Sequence, residues 1–299
     1  MKRRAALTTA AIAAGVATML LSQTLTAQPA PPMFATTKVE GTENVYIFRY
    51  QNHQAMFIVT KAGVIATDPI SYGRPQAAKT YLEEIRKLTK APIKYLIYSH
   101  HHYDHIAGGK VFKEAGARVV AHKRAKERLA SLKGLDVVIP DEVVDGKRII
   151  TLGGTTLELH FTGRNHSDSS LVMLLPRDKL IFAVDFNALG AVPSRLAVND
   201  SYPNEWEASL KRTLALKWDR MIPGHPGPGG RLGTRADMEQ QLAFMSELSA
   251  EVKKASDTGK CFSPADTELK LPKYSALTGY EQNLAWNVHR WCGYWGRGI

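Results

Sequence analysis

Apolar residues in this chain collect in short runs rich in Val, Ile and Leu, separated by Gly, Pro and Asp. This pattern predicts strands at Val45–Arg49, Ala55–Val59 and Val64–Thr67, the last ending on Asp68-Pro69. Helical spacing follows from Pro75 to Leu88, with the proline suited to a first helical turn. The run Ile93-Lys94-Tyr95-Leu96-Ile97-Tyr98 reads as a buried strand. After a Gly108-Gly109 turn come a helix around Lys110–Ala115, a short strand at Arg118–Ala121 and a helix at Lys123–Leu132. From Arg148 the pattern changes to successive strands at Arg148–Leu152, Thr155–Phe161, Leu171–Leu175 and Leu180–Val184. Asn204–Lys217 and Arg235–Lys254 are predicted helices, with a short strand at Arg220–Ile222 between them.

Two strand-rich blocks, each interleaved with helices, imply two sheets packed face to face with helices outside. No period of 20–50 residues recurs, which excludes solenoids. The expected organisation is a leader at 1–27, a Pro-rich extended segment at 28–37, a main domain at 38–257 and a C-terminal helical extension at 258–299.

The leader rests on a basic Lys2-Arg3-Arg4, an apolar stretch from Ala5 to Leu21 and a small-residue cleavage site at Leu25-Thr26-Ala27. The Arg3-Arg4 pair fits a twin-arginine signal loosely. The apolar stretch is short and weakly hydrophobic against the roughly 20 residues that a membrane span needs. We therefore expect cleavage and export to the periplasm or beyond, with no stable membrane span afterwards.

The formal charge is +11, of which three charges leave with Lys2, Arg3 and Arg4. The remaining excess is diffuse, and a basic surface of this kind suits anionic small-molecule substrates or envelope polyanions. No nucleic-acid-binding motif accompanies it. The densest basic run, His122 to Arg128, reads as a solvated helix face. The two cysteines, Cys261 and Cys292, suggest a disulfide tying down the tail of an exported chain, with two buried thiols as the rival reading, because 30 intervening residues do not fix a distance.

The candidate chemistry lies in His100-His101-His102-Tyr103-Asp104-His105, directly after the Ile93–Tyr98 strand. His100 and His102 project to one side of an extended segment, whereas His101 faces away and is not counted as a ligand. Asp104 and His105 fall where the chain turns, so they can reach a second position nearby. Three later loops supply similar groups at strand ends: His166 in Thr162-Gly163-Arg164-Asn165-His166-Ser167, Asp185 after Leu180–Val184, and His225 in Pro223-Gly224-His225-Pro226. Any one of these alone reads as an ordinary loop residue. Together with the histidine cluster they read as a metal site.

In this order, His100, His102, Asp104, His105, His166, Asp185 and His225 resemble the full ligand set of the metallo-β-lactamase superfamily, over roughly residues 38 to 250. The resemblance implies an α/β fold of the αββα four-layer sandwich type. It implies that His100, His102 and His166 hold one metal, that Asp104, His105 and His225 hold a second, and that Asp185 bridges them. Asp68 resembles the acid that braces the motif loop. Two Zn²⁺ ions fit imidazole and carboxylate ligands, with Fe or Mn as alternatives. Such a pair lowers the pKa of bound water to about 7 and so supports hydrolysis. Asp104 is placed to orient the nucleophile.

Departures from the better-known branches narrow this reading. The commonest β-lactamase subclass has Cys where Asp185 stands and Arg where His105 stands, and another has Ser in place of the bridging Asp. The His166-Ser167-Asp168-Ser169 loop also differs from that of glyoxalase II. The expected activity is hydrolysis of an ester, lactone, amide or β-lactam bond. An iron-dependent oxygenase or redox enzyme and a non-catalytic metal-binding or relay protein remain as alternatives. Substrate contacts are expected after Asp185, where Arg195 offers a bidentate partner for an anion or a solvated loop residue. Trp286, Trp291, Tyr294 and Trp295 are expected to pack as a helical cap.

Overall fold

The computed structural model describes residues 32–132, 137–263 and 268–299, so the expected leader lies outside the described residues. The first half alternates between hairpins and crossover helices. Strands β1 (Phe34–Lys38), β2 (Val45–Tyr50), β3 (His53–Thr60) and β4 (Gly63–Thr67) pair antiparallel in sequence. Helix α1 (Ala77–Leu88) then carries the chain to β5 (Ile93–Ile97), which pairs parallel with β4. After α2 (Tyr103–Ile106) and α3 (Gly109–Glu114) comes β6 (Arg118–His122), and after α4 (Lys123–Ser131) comes β7 (Glu142–Val144), both added in parallel. These seven strands form the first sheet, in chain order.

The second half builds a six-stranded sheet. It contains β8 (Lys147–Leu152), β9 (Thr155–Phe161), β10 (Leu171–Leu175) and β11 (Leu180–Ala183) as an antiparallel meander. Helices α5 (Arg195–Val198) and α6 (Pro203–Ala215) precede β12 (Arg220–Pro223), which pairs parallel with β11. Strand β13 (Gly233–Thr234) closes the edge, followed by α7 (Arg235–Asp257) and the C-terminal α8 (Tyr280–Arg297).

Strand alternation decides the layering, because successive side chains point to opposite faces. Met56, Ile58 and Ile65 from the first sheet meet Leu159, Met173 and Phe182 from the second in one buried cluster between the sheets. Phe57, Ala66 and Leu96 point the other way, onto Tyr81 and Ile85 of α1 and Phe112 of α3. On the far side, Ile181 and Ala183 pack with Trp206 of α6, Phe244 of α7 and Trp291 of α8. The αββα sandwich follows.

Met33–Ile299 packs as one compact unit. Helix α8 shares its outer core, because Leu284, Val288 and Trp291 lie in the same cluster as residues of α6 and α7. Cys261 and Cys292 form a disulfide, with Cα atoms 5.3 Å apart. That contact decides between the two readings of the cysteines, and it ties the chain after α7 to α8.

Candidate metal centre

The predicted ligands come together where β4, β5 and β11 end. Asp68 and Asp185 both adopt left-handed backbone, with φ of +26° and +66°. Such strain in a non-glycine residue persists only where its surroundings hold it, and it collects at functional sites. Asp68 is fully buried at the end of β4. Its Oδ1 accepts the Ser99 N–H at 2.7 Å, and its Oδ2 lies 3.6 Å from His105 Nδ1. One carboxylate therefore holds the entry to the histidine run by a hydrogen bond and lies within ion-pair reach of a histidine inside it.

His100, His102 and His166 form one group, with ligand atoms all within 4.8 Å of one another. Each has its outer nitrogen occupied. His100 Nδ1–H donates to Ser99 Oγ at 2.9 Å, His102 Nε2–H to Asp200 Oδ2 at 2.8 Å, and His166 Nδ1–H to the Ala197 carbonyl at 2.8 Å. In the neutral rings, the inner nitrogens then carry bare lone pairs. His102 Nδ1 and His166 Nε2 face each other at 2.8 Å, and His100 Nε2 is buried with no hydrogen-bond partner among the described residues.

A second group comprises Asp104, His105 and His225, joined by His53. His225 Nδ1–H donates to the Asn52 carbonyl at 2.7 Å, which turns its Nε2 toward Asp185 Oδ1 at 3.3 Å. His105 Nε2 lies 2.9 Å from Asp185 Oδ2 and 3.4 Å from Asp104 Oδ2. Asp185 Oδ2 is also 3.9 Å from His100 Nε2 and 3.8 Å from His166 Nε2. The Asp185 carboxylate thus stands between the two groups, where a bridging ligand belongs. Gly224 makes this approach feasible. A Cβ there would lie 2.5 Å from Val184 Cγ1 and 2.7 Å from Asp185 Oδ1.

Charge follows the same partition. Burial pushes the His100 imidazolium well below its ordinary range, with the neighbouring histidines adding to the effect, and burial also lowers His166. Burial opposes charge on His105 too, but the Asp185, Asp68 and Asp104 carboxylates hold it well above the usual value. Asp185 resists its own burial because His105 and His225 keep it well below the carboxylate range. Buried imidazoles with inward lone pairs, set around a buried anion, are the donor set of a divalent cation site. The residues fit two such ions.

All seven ligand positions expected from the sequence converge. His101 is not one of these seven: its Nδ1 is in hydrogen-bond contact with Ser167 and Ser169, and it groups instead with His102 and Asp200, its Nε2 4.0 Å from Asp200 Oδ2. Two residues were not anticipated. His53, at the head of β3, donates from Nε2 to Asp104 Oδ2 at 3.1 Å, and Asp200 orients His102. An Asn-His pair in a hairpin and an Asn-Asp pair before a helix both read as turn chemistry, so neither gave a signal. Arg195 has its guanidinium carbon 4.3 Å from the centre of the Trp286 ring. Of the two readings open for Arg195, an anion partner or a solvated loop residue, the structure shows neither directly: its guanidinium lies over the Trp286 ring of α8.

A cleft of about 470 Å³ opens onto His53, Asp104, His166, Asp185 and His225. The loop after Asp185 forms one wall, and Thr278, Gly279 and Asn283 of the C-terminal region contribute another.

The sequence pattern described as the Metallo-beta-lactamase superfamily matches residues 53–225, more than half of the chain. The chain is 25% identical over 210 residues to 2,4-dinitroanisole O-demethylase subunit alpha from Nocardioides sp. (strain JS1661), covering 70% of this chain and 62% of that protein. It is 26% identical over 175 residues to Metallo-beta-lactamase type 2 from Bacillus cereus, covering 58% and 66%. The matches thus span slightly less than two thirds of these relatives' own lengths. Among solved structures, the stereoselective inverting sec-alkylsulfatase from Pseudomonas sp. superposes with a TM-score of 0.72 at 17% identity, covering 88% of this chain and 50% of that one. With the paired histidine groups, the intervening aspartate and the αββα layers, the match places the chain in a family: it belongs to the metallo-beta-lactamase superfamily.

Proposed function

We propose that this chain is an exported dinuclear zinc-dependent hydrolase of small molecules, acting at the carbonyl of an ester, lactone, amide or β-lactam. The observation that carries the reading is the position of Asp185 between two ligand groups that border one open cleft. When bound there, the metal pair supplies Lewis acidity, lowering the pKa of water and polarising a carbonyl oxygen. His100, His102 and His166 would hold one ion, and Asp104, His105 and His225 the other, with Asp185 shared.

The chain's own contribution is preorganisation. Asp200, the Ala197 carbonyl and the Asn52 carbonyl fix the tautomers of His102, His166 and His225, so each presents a lone pair inward. Asp104 borders the cleft and stays ionised. Burial opposes its charge, but the hydrogen bond from His53 and the nearby His105 hold it well below the usual carboxylate range. It can therefore accept a hydrogen bond from a water in the cleft and aim it at a carbonyl carbon. Arg74 steadies the turn by donating to the Asp104 main-chain oxygen at 2.7 Å.

The test is elemental analysis of the purified chain together with a panel of nitrocefin, lactones, thioesters and phosphodiesters on zinc-loaded protein. About two metals per chain and carbonyl hydrolysis lost in His102→Ala and His166→Ala support the proposal. Two metals without activity across the panel count against it. A second reading draws on the relative named a 2,4-dinitroanisole O-demethylase subunit alpha. In it the same residues hold iron and act on an aryl ether, and iron in place of zinc in the purified protein would favour it. Export rests on residues 1–27 and is checked by fractionating producing cells. Among the described residues, no helix is long and apolar enough to cross a membrane.

A further inference from the structure

The cleft beside the ligand groups differs in character from the rest of this basic molecule. Its lining contains neither Lys nor Arg among the described residues. Arg195, on the adjoining α5, is held over Trp286 instead. The wall after Asp185 is apolar, formed by Ala188, Leu189, Val192, Pro193 and Leu196. Leu196 stands at the rim with 78% of its surface exposed. A carboxylate or sulfonate laid along this wall would lose its hydration without gaining a cation, whereas an alkyl or aryl arm would remove apolar surface from water.

Two polar residues border that wall, Ser194, whose Oγ accepts the Ala197 N–H, and Asn187. Asn187 is 4% exposed and borders the cleft, and neither its Oδ1 nor its Nδ2 has a hydrogen-bond partner among the described residues. Its neighbours are pinned. Trp206 Nε1–H donates to the Phe186 carbonyl at 3.0 Å, and the Ala188 N–H donates to Gln241 Oε1 at 3.2 Å. A buried amide on a fixed segment needs a partner from the cleft, either water or a ligand that displaces it. A primary amide both donates and accepts, which suits an uncharged carbonyl or amide.

We propose that the cleft selects an uncharged acyl substrate whose apolar arm lies along the Ala188–Leu196 wall, and that Asn187 hydrogen-bonds the polar group beside the cleaved bond. This deepens the hydrolase reading and rests on it for the cleavage step. Selection by the wall and by Asn187 is a binding property and can be measured separately.

Two pairs of probes test it on the zinc-loaded full chain. The first pair is p-nitrophenyl hexanoate and the same ester carrying a terminal sulfonate, an anion that ligates zinc poorly. The second pair is hexanophenone and its terminal sulfonate, which cannot be cleaved and are read by calorimetry. The proposal predicts at least a ten-fold higher kcat/KM for the neutral ester and at least a ten-fold lower Kd for the neutral ketone. Asn187→Ala weakens hexanophenone binding about five-fold, as expected for one lost hydrogen bond. Arg195→Ala leaves the preference for neutral probes unchanged. Equal or better binding of the sulfonated ketone overturns the proposal. So does an Asn187→Ala variant that binds hexanophenone like the parent and changes only in melting temperature. Failure to cleave either ester overturns the hydrolase reading alone, and the ketone affinities still decide this one.

Discussion

His102 Nδ1 and His166 Nε2 face each other across 2.8 Å, although Asp200 and the Ala197 carbonyl take the far N–H of each ring. Two lone pairs at that distance repel unless a proton or a cation accompanies them. The far partners thus turn these two histidines, with His100, into one of the two ligand groups. Removing the Asp200 carboxylate frees His102 to change tautomer and swing. Asp200→Ala should weaken zinc binding about 10- to 100-fold, the usual effect of losing a residue that orients a ligand. Competition with a chelating dye measures this, and an unchanged affinity would reduce Asp200 to a surface acid.

Gly224→Ala tests the closeness of the His225 loop to Asp185. The added methyl would lie 2.5 Å from Val184 Cγ1 and 2.7 Å from Asp185 Oδ1, so the loop or the carboxylate must shift. Overpacking of this kind costs about 1–3 kcal/mol. The variant should keep the fold and lose one zinc equivalent, which elemental analysis after dialysis reports.

Asp237 supplies a pH-dependent contribution to stability, away from the metal centre. Arg231 and Thr234 hydrogen-bond its carboxylate at the start of α7 and hold its pKa down to about 2 in the folded chain, against an ordinary value of 3.8. Its stabilisation is therefore fully present above the unfolded value and disappears as pH falls through about 2. Asp237→Asn should lower stability at pH 7 by about 1–2 kcal/mol, as expected when the charge-assisted hydrogen bonds from Arg231 are weakened. The gap to the parent should narrow between pH 4 and pH 2 in denaturation curves. A gap independent of pH would contradict the assignment.

The Cys261–Cys292 disulfide closes a loop with a sequence separation of 31 and ties α8 to the segment after α7. On chain-entropy grounds such a loop is worth roughly 3–4 kcal/mol. Cys261→Ser should lower the unfolding free energy by about that amount in non-reducing urea titrations. A change below about 0.5 kcal/mol would contradict the link's contribution.

Much of this architecture can be read along the chain because its strands are apolar and bounded by turns. The expected runs at 45–49, 55–59, 64–67, 148–152, 155–161 and 171–175 all lie in observed strands. Three strands escape that reading. β1 is half-exposed and Thr-rich, and β7 and β13 are only three and two residues long, so none shows a period. Helices α2 and α5 have four residues each and escape for the same reason.

The ligand histidines are legible because they sit in one dense motif and in loops at strand ends. His53 and Asp200 are not, because their roles arise from contacts 51 and 98 residues away in sequence. Arg195 shows the converse. Its charge suggested an anion site, and Trp286 on α8 claims it through a contact that nothing local announces.

The number of metal ions that these seven side chains hold decides most directly between a paired site and a single one. Zinc titration of the purified full chain, followed by elemental analysis after exhaustive dialysis, should give two equivalents in the parent and one in His166→Ala, which keeps the Asp104–His105–His225 group. One equivalent or none in the parent would contradict the paired site.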